Sequence, residues 1–491
     1  MLFFYDNYFN LNIIYWWFNN LDEDLYEEIF ELAAKEGATY SDIRDEDSLY
    51  STIRVVDGKV ENSVAGSEAG IGIRVLIDGA WGFAYGAKED YQEVFEMAVN
   101  AQKTAKKLSK SNIQLAEVEP IQDKVVIEQK KPAQDISFEE KVKLALQADK
   151  LLRDEENIIK STIVQYRDIL RRQTVATSEG TLIYEERPYI FLYMAPTAKE
   201  GTETNQGLGR AGQVGGFELF DLISVEERAE TTKNRTIKGL KAKAAKPGKY
   251  PVVLDGTLNF LFAHEAAGHS SEGDFLRTAG VFRGKLGKTV APDFVNLVDD
   301  GTLEFLPGYA ARTFGYMKYD DEGVPVTRTE IIKNGVLSTY LTDRASAAFF
   351  DLQPTGNCRA QFYSSFPIVR MRNTFLEATK GKALSEEEVV ELVKDGLLLK
   401  RGGGGQVDPI RGTFNFGTKE VYEITNGEIG ELRRATTLSG NTVETLGKII
   451  GLSNDKADPS SNVGMCGKSG QSAPTGTAGG WMAVKTMNIG G

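Results

Sequence analysis

The chain contains two histidines, and they stand five residues apart in Leu261-Phe-Ala-His264-Glu265-Ala-Ala-Gly-His269. Two residues scattered at random over 491 positions fall that close about 2% of the time, so the pairing points to joint ligation of an ion. Neutral imidazole is the commonest zinc ligand, and a Glu beside the first histidine is placed to act as base toward water at the ion. Good helix formers from Leu258 to Ala267 predict a buried helix. An ideal helix turns about 100° per residue, which sets positions i and i+5 about 140° apart, too far to share one ion. One extra residue in a single turn would restore a common face, and Ala266, Ala267 and Gly268 are small enough to permit it. The spacing therefore predicts a bulged or broken turn at 265–269.

Two imidazoles leave such a site one ligand short, since hydrolytic zinc usually takes three protein ligands and keeps a fourth position for water. Glu272 and Asp274 in Ser270-Ser-Glu-Gly-Asp274 are candidates, as is a cysteine. Cys466 sits in Val-Gly-Met-Cys466-Gly-Lys468-Ser-Gly-Gln, where glycines let the backbone approach and Lys468 favours thiolate. Cys358, in Thr-Gly-Asn-Cys-Arg, reads as a small residue beside a turn. On chemistry alone Cys466 leads Glu272 by a small margin.

The elements that must position these groups read as α+β. Leu21 to Lys35, Gln92 to Leu108 and Phe138 to Arg153 have helical spacing. Alternating runs flank Asp57-Gly58, Asp78-Gly79, Asp300-Gly301, Asn334-Gly335 and Asn426-Gly427, the signature of tight hairpins. The basic run Lys238 to Lys249, with Pro247-Gly248, reads as a solvated linker. It divides an N-terminal domain at 21–245 from a C-terminal metal-bearing domain at 246–491. Gly402 to Gly405 reads as a mobile loop. Gly207-Leu-Gly209-Arg-Ala-Gly212 spells a dinucleotide fingerprint, but no strand precedes it and no helix follows, so it carries no such function.

Composition narrows the field. Apolar residues make up 41% and charged residues 26%, enough for a sizeable core. A net charge of −13 argues against nucleic acid or anionic membrane as partner. Two cysteines exclude a disulfide framework and make a reducing cytoplasm the expected compartment. The first eighteen residues hold nine aromatics and no Lys or Arg, which fits neither a signal peptide nor a spanning helix. The segment 1–20 is read as translated sequence upstream of the native start, with an aromatic docking arm as the competing reading. No other stretch is long and apolar enough to span a membrane.

His-Glu-Ala-Ala-Gly-His followed by Glu-Gly-Asp-Phe resembles the signature of the TldD/PmbA family of metalloproteases. So do Val298-Asp-Asp-Gly-Thr302, Asp320-Asp-Glu-Gly-Val-Pro325, Leu341-Thr-Asp-Arg-Ala-Ser-Ala347, Arg370-Met-Arg-Asn-Thr374 and Met465-Cys-Gly-Lys-Ser-Gly-Gln471. The resemblance runs from about Leu25 onward. It implies a two-domain α+β subunit and a zinc peptidase, one Zn²⁺ per catalytic subunit, with the ion held by His264, His269 and Cys466. Glu265 would activate the attacking water. It also implies a heterodimer with a PmbA/TldE-type paralogue that lacks HExxxH, a homodimer being the alternative, and peptide substrates that are small or unfolded, cut with little sequence preference. Asp320, Asp321, Glu322, Arg370 and the Gly402–Gly405 loop are the expected substrate contacts. The rival reading is a non-catalytic module that regulates a protein partner, as in gyrase modulation.

Overall fold

The computed structural model describes residues 22–109, 112–455, 460 and 463–490, and the chain is α+β with mostly antiparallel sheets. The aromatic leader at 1–20 lies outside the described residues. Asp57 and Gly58 both take left-handed backbone (φ 49° and 77°), as do Asp78-Gly79, Asn334-Gly335 and Asn426-Gly427. Each is the mirror-image turn that matches strand twist, and Asx-Gly is the pair that tolerates it. Asp300-Gly301 departs from this expectation. Asp300 ends the strand Val295–Asp300 and its carboxylate accepts from the Thr302 N–H at 2.9 Å, so the chain loops away and the next strand starts at Arg328.

The N-terminal sheet runs in the order 80–86, 59–77, 38–56, 159–177, 182–200 and 122–126, with 203–206 and 209–214 paired along 182–200. Helix Tyr91–Leu108 packs Val94, Phe95 and Ala98 on Ile71, Ile73 and Val75. Helices Phe138–Leu152 and Val225–Lys241 pack Ala145, Ala148, Val225 and Ala229 on Ile53, Val164, Ile190 and Leu192. Each fully buried Val, Leu or Ile side chain contributes about 1.5–3 kcal/mol relative to exposure. The basic run differs from the expected linker. Lys238–Lys241 form the last turn of a helix, where cations complement the helix dipole, and the connector shrinks to 242–247.

In the C-terminal half five strands close on themselves: 395–408, 248–254, 482–489, 436–441 and 413–425, the last pairing back onto the first. Their core face (Leu399, Phe414, Phe416, Leu438, Val484) buries Leu258, Phe262, Ala263, Ala266 and Ala267 of the segment that carries the histidines. Gly402–Gly405 is an irregularity within the strand Asp395–Asp408 rather than a separate loop, since pairing resumes at Gly405–Phe416.

A lattice of buried charge joins the halves. Arg74 pairs with Asp42 and with Glu322 at 3.1 Å, and Arg171 lies between Glu46 (3.3 Å) and Asp321 (3.5 Å). Such pairs recover little net energy after desolvation, but removing one partner is costly, so they fix how the two halves dock.

Candidate metal centre

Asp255 begins the site. One carboxylate oxygen caps the helix Gly256–Leu261, accepting from the N–H groups of Thr257 (3.1 Å) and Leu258 (3.0 Å), and the other accepts from the Arg401 N–H at 3.0 Å. The backbone then widens into a π-helical turn over Phe262–Gly268, and the His269 N–H bonds to the carbonyl of His264, five residues back. The widened turn supplies the extra residue that the spacing demands, starting at Phe262 rather than 265. It brings the imidazole centroids to 5.1 Å, with ring planes at 81°.

Gly268 is required by a close approach. A Cβ there would collide with Met371 Sδ and stand 3.0 Å from the Ala263 carbonyl oxygen. Gly268→Ala is therefore expected to cost about 1–3 kcal/mol by overpacking, read as a lower urea or thermal midpoint. An unchanged midpoint would show that Met371 moves aside freely.

Cys466 arrives on the hairpin Val463–Lys468/Gln471–Gly476, a two-stranded sheet of its own. Its Sγ lies 3.4 Å from His269 Nε2, and the candidate ligand atoms of His264, His269 and Cys466 all fall within 4.8 Å of one another. Ligands of a tetrahedral zinc stand about 3.3–3.6 Å apart, so small adjustments would let these three share one ion. His264 Nδ1 is buried and has no hydrogen-bond partner among the described residues, an uncompensated nitrogen that a ligand would satisfy. Two imidazoles and a thiolate are the donor set that a borderline-soft cation prefers.

Glu272 does not join the three. Its Oε2 contacts His269 Nδ1 at 3.0 Å, behind the ring, which leaves Nε2 facing the sulfur. Lys468 in turn reaches Glu272 at 3.1 Å, both Asp274 oxygens at 2.8 Å and the Val369 carbonyl at 2.9 Å. The expected role of Lys468 as direct thiolate support is corrected: its charge is directed at the two carboxylates. Residues 466 and 468 share a strand, so this cluster ties the cysteine hairpin to the histidine segment. Both Glu272 and Lys468 stand out in the sequence, but nothing there signals a contact across 196 positions.

The local fields follow. Burial alone would raise the Glu272 carboxyl, yet Lys468 and His269 bring it down to about 2. Burial disfavours a charged His269, but the Glu272 carboxylate and the Cys466 sulfur outweigh it and lift His269 well above the usual imidazole range. Burial would likewise raise Cys466, and the two imidazoles instead hold it well below the ordinary thiol range. Glu265 is raised by burial, partly countered by both histidines. Its side chain is 22% exposed and Oε2 lies 3.9 Å from His269 Nε2.

These groups floor a cleft of about 1260 Å³ whose other wall comes from Leu208–Arg210, Ile223–Arg235 and the Gly402–Gly405 irregularity. Of the residues expected to touch substrate, the Gly402–Gly405 segment lines it, but Asp320, Asp321, Glu322 and Arg370 do not. Asp320, Asp321 and Glu322 are 3%, 2% and 2% exposed; Asp321 and Glu322 pair with arginines of the N-terminal sheet, and Asp320 accepts from the N–H groups of Glu322, Val324 and Cys358. Arg370 is fully buried and donates to the Cys466 carbonyl. An acidic run beside a glycine reads as a surface turn, and only the facing arginines show otherwise.

Three sequence profiles cover most of the chain: PmbA/TldA metallopeptidase domain 1 at 41–102, the central domain at 131–240 and the C-terminal domain at 247–491. A metalloprotease of Methanocaldococcus jannaschii is 37% identical over 456 residues, spanning 92% of this chain and 97% of its own. A zinc metalloprotease TldD homolog of Saccharolobus solfataricus is 30% identical over 465 residues, with 94% and 98% covered. The crystal structure of TldE from Thermococcus kodakarensis superposes with a TM-score of 0.71 at 19% identity, over 95% of this chain and all of that one, a likeness of fold.

Proposed function

The chain belongs to the TldD/PmbA metallopeptidase family, and on that premise we propose that it is a zinc peptidase of the HExxxH-bearing type, acting on small or unfolded peptides. The observation that carries this reading is the convergence of His264, His269 and Cys466 ligand atoms within 4.8 Å, beside Glu265 on a cleft floor. His264, His269 and Cys466 would hold one Zn²⁺ per subunit. When bound, the ion would polarise the scissile carbonyl and acidify the attacking water.

The chain's own residues do the rest. Glu265, partly exposed to the cleft and raised by burial, takes the proton of the water and delivers it to the leaving amine. Glu272 holds His269 by Nδ1, which keeps Nε2 free for the ion. The strand edge at Gly402–Gly405 offers backbone groups to which an extended peptide can add, a mode that reads little of the side-chain sequence. The segments 21–245 and 246–491 both contribute to the walls of the cleft. A PmbA/TldE-type paralogue is the natural second subunit, given that a TldE shares this fold, with self-association where the paralogue is missing. A reduced thiolate ligand suits a cytoplasmic setting.

The test is to purify the chain alone and with its paralogue, measure bound zinc, and follow unfolded-peptide cleavage before and after chelation. The expected outcome is near-stoichiometric zinc and activity that chelator abolishes and added zinc restores. Absence of both metal and cleavage in either preparation would favour a regulatory binding module instead.

A further inference from the structure

We infer that Arg210 and Arg401 on the cleft wall, with Lys419 in the recess beside it, form a carboxylate-binding subsite, so that the enzyme selects peptides presenting a carboxylate near the bond it cuts. The inference rests on the peptidase reading for the class of its ligand. It begins from a charge imbalance. The whole chain carries −13, yet this part of the cleft and the recess beside it gather Arg210, Arg228, Arg235, Arg401 and Lys419 against Glu227 and Glu420. Arg235 has Glu420 at 3.5 Å. Among the described residues Arg210, Arg401 and Lys419 have no carboxylate partner; Arg44, Arg359 and Arg370 also have none, but they are buried and line neither the cleft nor the recess. A half-buried cation without a counter-ion is costly to keep, and an incoming anion recovers that cost.

Two further observations relate these cations to the segments that carry the candidate metal ligands. The Arg401 backbone is in the left-handed region at φ 63°, a strained state for a residue with a side chain. Its N–H is held by Asp255, the residue that caps the segment bearing His264. Arg210 Nη1 donates to the Val463 carbonyl at 3.3 Å, on the strand that carries Cys466. Both cations thus hang from the elements that carry the metal ligands. Burial and the nearness of Arg210 lower the Lys419 ammonium, as two like charges without an anion between them must. A guanidinium presents a fork that fits a carboxylate in two parallel hydrogen bonds, which distinguishes it from the backbone-only recognition at the strand edge.

A peptide offers that chemistry in two places, its C-terminus or an Asp or Glu side chain. The experiment separates them with one labelled peptide made in four forms: free or amidated C-terminus, each with Glu or Gln beside the scissile bond. Affinities are measured by fluorescence anisotropy on zinc-loaded Glu265→Gln protein together with its paralogue, so that binding is read without turnover. Neutralising the recognised carboxylate is expected to weaken binding about 10–100-fold, and the arm that responds names its source. In Arg401→Gly, which relaxes the strained backbone and so is not expected to fail by misfolding, that difference should vanish with zinc content unchanged. Arg210→Gln should behave alike. Equal affinities for all four forms would overturn the inference, as would an Arg401→Gly protein that loses its paralogue instead of its discrimination. Discriminating binding without cleavage by the wild type would uphold this subsite and overturn the peptidase reading.

Discussion

Glu265→Gln is expected to keep its zinc and lose about 10²–10⁴-fold in kcat, the usual contribution of a positioned general base. The substitution preserves side-chain volume and leaves His264, His269 and Cys466 untouched, so the widened turn and the ligand set should survive. What disappears is a proton acceptor that burial has already raised above an ordinary carboxylate, closer to the pH at which it must work. The measurement is zinc content by mass spectrometry alongside kcat on an unfolded peptide. Retained zinc with unchanged turnover would remove Glu265 from the reaction; joint loss of zinc and turnover would make it part of the ion's grip rather than the base.

The second expectation is a graded release of the ion. Cys466→Ala deletes a ligand and should lose more affinity than any neighbouring change. Glu272→Gln keeps the shape but weakens the hold on His269 Nδ1, and groups in this position typically account for about 10–100-fold in metal affinity. Lys468→Met acts one step further away, through Glu272 and Asp274, and should fall between Glu272→Gln and wild type. Cys358→Ala is the control: that thiol is fully buried in the short strand Cys358–Arg359, paired with Ile368–Val369 and outside the ligand cluster. Competition with a chromophoric chelator gives all four constants. A Glu272→Gln protein that binds zinc as tightly as wild type would contradict the positioning role.

What could be read from the sequence was local or periodic. The Asx-Gly turns were legible because a two-residue left-handed turn admits few residue types, and Asp300-Gly301 failed because its aspartate bonds to the residue two ahead instead. The odd spacing of His264 and His269 signalled a distorted turn, since a regular helix could not bring the rings together. Long-range partners left no such trace. Asp321 and Glu322 read as substrate contacts because Arg171 and Arg74, their partners, lie about 150–250 positions away in sequence. Arg370 looked like a substrate clamp, and only the folded hairpin shows its guanidinium turned to a backbone carbonyl. Glu272 and Asp274 were weighed as ligands because carboxylate chemistry alone does not distinguish binding an ion from orienting what binds it.

The two-stranded hairpin that delivers the sulfur has a temporal consequence. His269 and Cys466 are 197 positions apart, and the strand 482–489 that completes the closed ring lies beyond both. During synthesis the two imidazoles and the carboxylate therefore precede both the proposed sulfur ligand and the last strand of the ring. On the proposed ligand set, a nascent chain holds all three donors only once the hairpin has emerged.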